Sequence, residues 1–361
     1  MAYTTINKST DYFNTVTYSN AGDGAKAVTG VGFQPDLVWV KNRTEAYNAQ
    51  FHDAVRGASN GALYSSTTAV PDTGYPFSSF DSDGFTTGSQ GSNASQNSAS
   101  QVAWNWKAGT TGSGTTGGSG TAKDYQYSVN TTAGFSIIKY KGNGTAGHTI
   151  PHHLGAVPKM IIVKCIESVH NWQVLHQGLA TNSGTKNLEL NSTSAVLTDS
   201  TTWNDTAPTS TVFTLGSTNP TNQSSSNYNF IAYCFAEKTG FSKFGSYTGN
   251  GSTNGTFVYT GFKPAWLMIK QINTTGNWAL SDNKRNNTGG GNFVSHTLAA
   301  NLNNNESHFG GGSGNKQDYL SNGFKIRDTG GYANTSGGTY IYMAFAEAPL
   351  VGSNNIPCTA R

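Results

Sequence analysis

GFQPDLVWVK at residues 32–41, GAVPKMIIVK at 155–164 and GFKPAWLMIK at 261–270 are three copies of one pattern. In each copy a Gly stands three residues before a Pro, and a Lys follows that Pro by six residues. The residues between Pro and Lys are mostly apolar and do not alternate with polar ones, which is typical of a strand covered on both faces. We expect the Pro to begin the strand and the Lys to mark its return to water.

The spacings around the three copies indicate true repeats rather than a shared composition. A Trp follows the Lys by eight residues in the second copy, at Trp172, and in the third, at Trp278. Near the end of each repeat, two aromatic residues stand at almost the same separation. The separation is 21 residues for Phe85 and Trp106, 22 for Phe213 and Phe235, and 21 for Phe324 and Phe345. Variable segments between them are typical of surface loops.

Composition favours an all-β fold. Charged residues are only 11% and aromatic residues 12% of the chain, which also contains 44 Gly. Such a composition with many turn residues predicts short antiparallel strands. We predict three tandem antiparallel β-sandwich units of jelly-roll or lectin-like type. The predicted ranges are unit 1 at 1–108, a Gly/Ser/Thr linker at 109–121, unit 2 at 122–238, unit 3 at 239–348 and an extended C-terminal tail at 349–361.

Several functional classes find no support in the sequence. The net charge is +3 and no run of Lys or Arg occurs, which argues against nucleic-acid binding. Cys165, Cys234 and Cys358 are widely spaced and fit neither a disulfide framework nor a metal site. No signal peptide is recognisable at the N-terminus, and no apolar run approaches the ~20 residues of a membrane span. We predict no cofactor, no metal and no membrane insertion.

The candidate binding residues come from repeated positions. Trp172 follows Asn171, and Trp278 follows Asn277. An exposed Trp beside an Asn would stack on a sugar ring while the amide bonds its hydroxyls, so these four residues are a candidate carbohydrate site. The alternative is a core Trp that packs between sheets.

Asp53 and Arg56 recur as Asp282 and Arg285, whereas the second repeat has His176 and Leu179 there. Asp282 and Arg285 join the candidate carbohydrate site as its charged part. The alternative is a local ion pair, which stabilises little when exposed.

No catalytic motif is present. Glu237 and Glu347 end the closing strands of two repeats, but their equivalent positions indicate architecture rather than the paired carboxylates of a glycosidase. His148, His152 and His153 lack the spacing of metal ligands, and we interpret them as surface residues. We predict that the protein is not an enzyme.

Three segments resemble a known family: GFQPDLVWVKNR at 32–43, VAWNWKAGTTG at 102–112 and GTYIYMAFAEAPLVGSNN at 338–355. The chain resembles virion structural proteins, often tail-fibre-like, of tailed and mainly marine bacteriophages, which carry a domain of unknown function in tandem. The resemblance implies a virion protein made in the host cytoplasm, with other virion proteins as partners, and it supplies no catalytic residues.

From this we expect an exterior fibre or spike that contacts host-surface glycans and forms a homo-oligomer, with a trimer favoured. The alternatives are a capsid or tail decoration or scaffold protein that makes only protein contacts, and, less favoured, a glycan-degrading enzyme.

Overall fold

The computed structural model describes residues 4–349 of the chain, apart from 21, 23, 90–93, 97, 180–182, 225–227, 286–291, 307–315 and 331. The all-β prediction is confirmed. Helical structure in this part of the chain is confined to α1 (Asn219–Asn222), to single 3₁₀ turns at Ser9–Asp11, Gln177–Leu179 and Ser183–Thr185, and to Glu306 in 3₁₀ conformation. Among the described residues there is no helix with the length and apolarity to cross a membrane.

The first sandwich is built from the N-terminal strands. These are β1 (Phe13–Ser19), β2 (Ala27–Val28), β3 (Leu37–Asn42), β4 (Gln50–Asp53), β5 (Leu63–Tyr64), β6 (Phe77–Asp81), β7 (Gly84–Thr87) and β8 (Ser100–Trp106). The larger sheet has the order β1-β8-β3-β4-β5 and the smaller sheet β2-β7-β6, all antiparallel. Val38, Val40, Phe77 and Phe85 fill the space between the two sheets.

The second sandwich has the widest sheet. Its strands are β9 (Thr110–Thr115), β10 (Gly117–Gly118), β11 (Asp124–Asn130), β12 (Phe135–Lys141), β13 (His148–Pro151), β14 (Met160–Cys165), β15 (Gln173–His176), β16 (Lys186–Glu189), β17 (Leu197–Thr198), β18 (Val212–Leu215) and β19 (Asn229–Phe235). The order is β17-β16-β15-β14-β19-β12-β11-β9 in the larger sheet and β10-β13-β18 in the smaller. Ile161, Tyr140, Trp203 and Phe213 pack between them.

The third sandwich repeats the design of the first. Its strands are β20 (Ser242–Thr248), β21 (Phe257–Tyr259), β22 (Phe262–Gln271), β23 (Trp278–Asp282), β24 (Phe293–Val294), β25 (Leu298–Ala299), β26 (Gln317–Leu320), β27 (Gly323–Ile326) and β28 (Thr339–Pro349). The larger sheet has the order β20-β28-β22-β23-β25 and the smaller β21-β27-β26-β24. Leu267, Ile269, Tyr319 and Phe324 lie between the sheets.

The repeated apolar strand is covered on both faces, as its sequence predicts. In β22, Leu267 and Ile269 enter the core of the third sandwich, while Trp266 and Met268 enter a cluster shared by all three sandwiches. In β3 and β14, successive side chains likewise alternate between the shared cluster and the core of their own sandwich. Because each face meets a different apolar surface, the strand needs no polar positions until its end.

The shared cluster, here called the central core, joins the three larger sheets. The ring of Trp106 lies 5.6 Å from that of Trp266, which connects the first and third sandwiches. Phe51 and Trp172 are 5.1 Å apart and connect the first with the second. Phe235 and Phe345, 6.2 Å apart, connect the second with the third. The three sandwiches therefore enclose one aromatic core in addition to their own.

The segment predicted as a flexible linker, 109–121, contains two strands instead. β9 pairs with β11 along six residues and forms an edge of the larger second sheet, and β10 pairs with β13. The glycines allow this, because a Cβ on Gly112 would lie 2.6 Å from the Tyr127 hydroxyl, and Tyr127 covers the strand. The predicted tail falls on 349–361, of which Pro349 ends β28 and the remainder lies outside the described residues.

Candidate functional site

The repeated Asp and Arg residues form buried ion pairs. Asp53 and Arg56 are 0% and 5% exposed, and Arg56 Nε donates to Asp53 Oδ2 at 2.5 Å. Asp282 and Arg285 are both 0% exposed, with the corresponding distance 2.6 Å. Arg285 also donates to Glu306 Oε1 at 2.8 Å. The ion-pair interpretation is thus correct, but the pairs lie inside the protein, where desolvation makes a lost partner costly.

Both pairs also connect neighbouring sandwiches. The Tyr233 hydroxyl of the second sandwich donates to Asp53 Oδ2 at 2.9 Å, and Trp104 Nε1 of the first donates to Asp282 Oδ2 at 2.9 Å. His176, at the equivalent position of the second sandwich, has its Nε2 3.1 Å from the carbonyl oxygen of Tyr342 in the third. These contacts connect the first sandwich with the second, the second with the third and the third with the first, so together they form a closed ring.

Trp172 and Trp278 belong to the central core, where their exposed fractions are 0% and 1%. Trp172 Nε1 donates to the carbonyl of Tyr64 in the first sandwich at 3.0 Å, and Trp278 Nε1 donates to that of Glu189 in the second at 2.9 Å. The predicted stacking on a sugar is therefore wrong for both, because their faces are covered by other sandwiches. The core alternative is correct.

The neighbouring asparagines have structural partners. Asn171 Nδ2 donates to Glu189 Oε1 at 2.6 Å, and its Oδ1 accepts from Asn191 at 2.8 Å. Asn277 Oδ1 accepts from Asn301 Nδ2 at 2.7 Å. With Asp282 and Arg285 buried as well, the structure does not gather the six predicted residues into a surface site. Trp172, Trp278 and Asp282 instead make contacts between sandwiches.

The lysines that end the repeated strands do not return to water. Lys41, Lys164 and Lys270 are each 0% exposed, which corrects the sequence interpretation. Lys41 Nζ donates to the carbonyl of Asn303 in the third sandwich at 2.8 Å, Lys164 Nζ to that of Thr68 in the first at 3.0 Å, and Lys270 Nζ to that of Thr193 in the second at 3.2 Å. A second ring of contacts between sandwiches results.

These lysines predict a pH dependence of stability. Burial lowers the pKa of Lys41 from 10.5 to about 7 and lowers the pKa of Lys164 and of Lys270 to about 8. Between these values and 10.5 the unfolded chain holds more protons than the folded chain, so the free energy of unfolding rises with pH in that window. We expect the rise between pH 7 and 9, measured by urea unfolding, to be smaller in Lys41→Met.

The matched control is Lys8→Met, since Lys8 has a side chain 69% exposed. This variant should keep the pH dependence of the parent protein. A Lys41→Met variant with an unchanged slope would show that the Lys41 ammonium stays protonated in the folded state.

The histidines singled out from the sequence have structural roles in the described part of the chain. No group of three or more His, Cys, Asp or Glu residues is placed to hold a metal ion. His148 and His152 are buried, at 0% exposed, which corrects their interpretation as surface residues. His148 lies 2.9 Å from Asn222 Oδ1 and His152 3.2 Å from the Thr209 carbonyl, so both have structural partners.

Glu237 and Glu347 form ion pairs of their own, with Lys243 at 2.7 Å and Lys263 at 2.9 Å. They belong to different sandwiches and occupy equivalent strand ends. The ion pairs at equivalent strand ends give both glutamates a structural role.

A groove follows the boundary between the first and second sandwiches. One end is a cavity of about 380 Å³ between Asn60 and Val70 of the first and Lys139 and Glu167 of the second. It continues over β11 into cavities of about 350 and 360 Å³ that share Gln126. These two cavities are lined by residues of β9, β11 and β12, which are neighbours in the larger second sheet.

The groove has two carboxylates in separate cavities, Glu167 in the first and Asp124 in one of those that continue over β11. Glu167 is the carboxylate of its first cavity, and both its oxygens accept from Asn229, from the backbone N at 2.8 Å and from Nδ2 at 2.5 Å. No second carboxylate lines that cavity within the described chain, whereas hydrolysis of a glycoside needs a pair.

Exposed aromatic side chains offer a different kind of surface. In the described chain the most exposed are Tyr259 at 57% and Phe257 at 43%, both on β21. Sequence reasoning did not select them. The alternation Phe257-Val258-Tyr259 was the available signal, because it places two rings on one face of a strand.

Comparison with known proteins identifies the family but no characterised relative. Residues 8–349 match the model of the Domain of unknown function (DUF7483), and the chain belongs to this family. No curated protein matches the chain. No solved structure matches it either.

Proposed function

We propose that this member of the DUF7483 family is a structural protein on the exterior of a bacteriophage particle, where it contacts host-surface carbohydrate. The observation that carries the proposal is the closed arrangement of three sandwiches around one aromatic core. Two closed sets of hydrogen bonds between sandwiches, one made by the buried lysines and one by Asp53, His176 and Asp282, involve the inner surfaces of all three sandwiches. The outer sheets and the groove remain for partners outside the chain.

This architecture suits an attachment role. A virion surface protein must stay folded outside the cell and present binding surfaces at fixed angles. The central core holds the outer faces in fixed relation, because packed aromatic interiors resist deformation. Weak sites suffice for adhesion when several copies on one particle bind together. The sequence resemblance to virion proteins supports the same role.

The expected trimer stays a prediction. Within one chain, three similar units already make head-to-tail contacts that close on themselves, as the subunits of a cyclic trimer do. Association of further copies must therefore use other surfaces. We expect the mass of the purified protein in solution, measured by light scattering, to be three times that of one chain.

High-resolution imaging of the intact particle tests the proposal. We expect the chain to project outward with the groove and the outer sheet faces free, and the purified protein to bind members of a glycan array. A chain that is absent from the particle, or a protein that binds no glycan while its faces are free, would contradict the proposal.

A decoration or scaffold protein is the second candidate, and one observation favours it. β9 forms the edge of the larger second sheet, and four of its six residues are exposed. An unpaired edge strand is a template for pairing with another chain. In this case imaging should show β9 paired with a neighbouring virion protein and the groove covered.

A further inference from the structure

The outer face of the smaller sheet of the third sandwich is unlike the rest of the surface. Phe257 and Tyr259 lie on it, because Val258 between them points into the core. Phe257 pairs with Lys325 of β27, and Tyr259 pairs with Gly323. On the next strand, β26, Asp318 pairs with Lys325 and Leu320 with Gly323. These six outward residues, without Val258, are called the aromatic face.

Gly323 makes the aromatic face flat. A Cβ at this position would lie 3.0 Å from Cε2 and 3.1 Å from Cζ of Phe257, so that ring extends over the glycine. The ring thus covers β27 in the direction of Tyr259, which stands opposite Gly323. The missing side chain leaves room for the Phe257 ring, on the same face of the sheet as Tyr259.

The fold does not require aromatic residues at these positions. Gly323 of the third sandwich corresponds to Gly84 of the first. A Cβ on Gly323 would lie 2.1 Å from the Val258 carbonyl oxygen, and a Cβ on Gly84 would lie 1.9 Å from the Val28 carbonyl oxygen. This equivalence places Ala27 of the first sandwich where the third has Phe257, and Thr86 where it has Lys325.

The second sandwich supports the same conclusion. Ile150 pairs with Phe213 there, as Val258 pairs with Phe324, so Thr149 and Thr214 take the places of Phe257 and Lys325. At the position of Phe257, the other two sandwiches thus have the small residues Ala27 and Thr149. Folding of the third sandwich therefore does not account for the exposed ring at the position of Phe257.

The size of the face selects the kind of ligand. Its three strands, about 4.8 Å apart, span roughly 10 Å, and the two-residue step along each strand spans roughly 7 Å. The resulting area, on the order of 100 Å², is far below the ~800 Å² per partner of a stable protein interface. It matches one or two sugar rings, whose apolar C–H faces stack on aromatic rings.

The charge of the face selects the kind of sugar. Asp318 is neutralised by Arg327, with Nε 2.6 Å from Oδ2. Lys325 is half-buried and pairs with Phe257 on one neighbouring strand and with Asp318 on the other. Among the described residues, no carboxylate lies within 4 Å of the Lys325 ammonium. A cation beside two stacking rings complements a sugar that carries a carboxylate.

We propose that the aromatic face binds acidic glycans, with Phe257 and Tyr259 stacking on the sugar rings and Lys325 pairing with the sugar carboxylate. This proposal rests on the proposed function, because it names the surface and the class of carbohydrate through which the particle would attach.

The test measures binding of glucuronic acid oligosaccharides, with glucose oligosaccharides of equal length as the neutral comparison, to the full chain by calorimetry. Phe257→Thr/Tyr259→Thr introduces small residues of the kind found in the other sandwiches. We expect this variant to weaken binding of the acidic oligosaccharide at least about tenfold, since both stacking contacts are lost. Lys325→Thr should remove the preference for the acidic over the neutral oligosaccharide.

The matched control is Tyr47→Thr/Tyr75→Thr, which removes two exposed aromatic rings, each 36% exposed, from the first sandwich. This control should bind as the parent does, and an unchanged melting temperature should show that all variants fold. If the parent binds glycans and the Phe257→Thr/Tyr259→Thr variant binds them equally well, the aromatic face is not the site, although the proposed function stands.

Two further outcomes would overturn the inference. A parent protein that binds no glycan on an array would remove the carbohydrate part of the proposed function together with it. Association with another virion protein that requires Phe257 and Tyr259, without any binding of sugars, would instead identify the aromatic face as a protein contact.

Discussion

Replacing Trp266 by Ala lowers the free energy of unfolding by about 3–5 kcal/mol, as expected for a large aromatic side chain removed from a packed interior. Trp266 is 0% exposed, and its ring lies 5.6 Å from Trp106, 6.2 Å from Trp104 and 6.0 Å from Phe345. Because these neighbours come from two sandwiches, the cavity cannot close by a shift within one sheet. Urea unfolding followed by tryptophan fluorescence measures the change.

The control for Trp266→Ala is Tyr259→Ala. Tyr259 is 57% exposed, and its loss should change the free energy of unfolding by no more than about 0.5 kcal/mol. If Trp266→Ala lowers the free energy of unfolding no more than Tyr259→Ala does, the central core does not hold the three sandwiches together.

Asp53→Asn should destabilise the protein by about 3–5 kcal/mol, because it leaves a buried guanidinium without its carboxylate. Asp53 Oδ2 accepts from both Arg56 Nε and the Tyr233 hydroxyl, and Oδ1 accepts from the Arg56 backbone N at 2.8 Å. An amide presents only one acceptor oxygen, so the change weakens the ion pair and the contact with the second sandwich together. Urea unfolding at pH 7 measures it.

Asp282→Asn is the matched comparison for Asp53→Asn. Arg285 retains Glu306 at 2.8 Å, which it shares with Arg43 at 3.0 Å, so its charge remains partly compensated after the substitution. We expect a smaller loss of stability than in Asp53→Asn. Equal losses in the two variants would mean that Glu306 contributes nothing to the third sandwich.

The sequence was informative about the repeated strands for a clear reason. Unbroken apolar residues between a Pro and a Lys predict a strand buried on both faces, and the structure confirms this for β3, β14 and β22. Misreading 109–121 as a linker has an equally local cause. A strand of Gly, Ser and Thr lacks the usual strand residues, and it forms here because tyrosines of β11 cover it.

The candidate site was misjudged because burial at a strand end is not a local property. Trp172 and Trp278 stand next to polar residues, as a surface Trp would, but their faces are covered by other sandwiches. Similarly, a Lys after an apolar run usually returns to water, yet Lys41 meets a carbonyl 262 residues away.

Local pattern alone therefore indicated the class of fold and the double-sided burial of the strands in the three copies of the repeated stretch. These follow from the period of apolar residues and from the spacing of Pro, Lys and aromatic residues, which act over ten or twenty positions. Only the tertiary structure decided that the repeats close into a ring, that the repeated Trp, Asp and Lys residues face one another inside it, and that Phe257 and Tyr259 face water. Contacts such as Tyr233 with Asp53, 180 residues apart, depend on how whole sandwiches pack, and no local pattern encodes them.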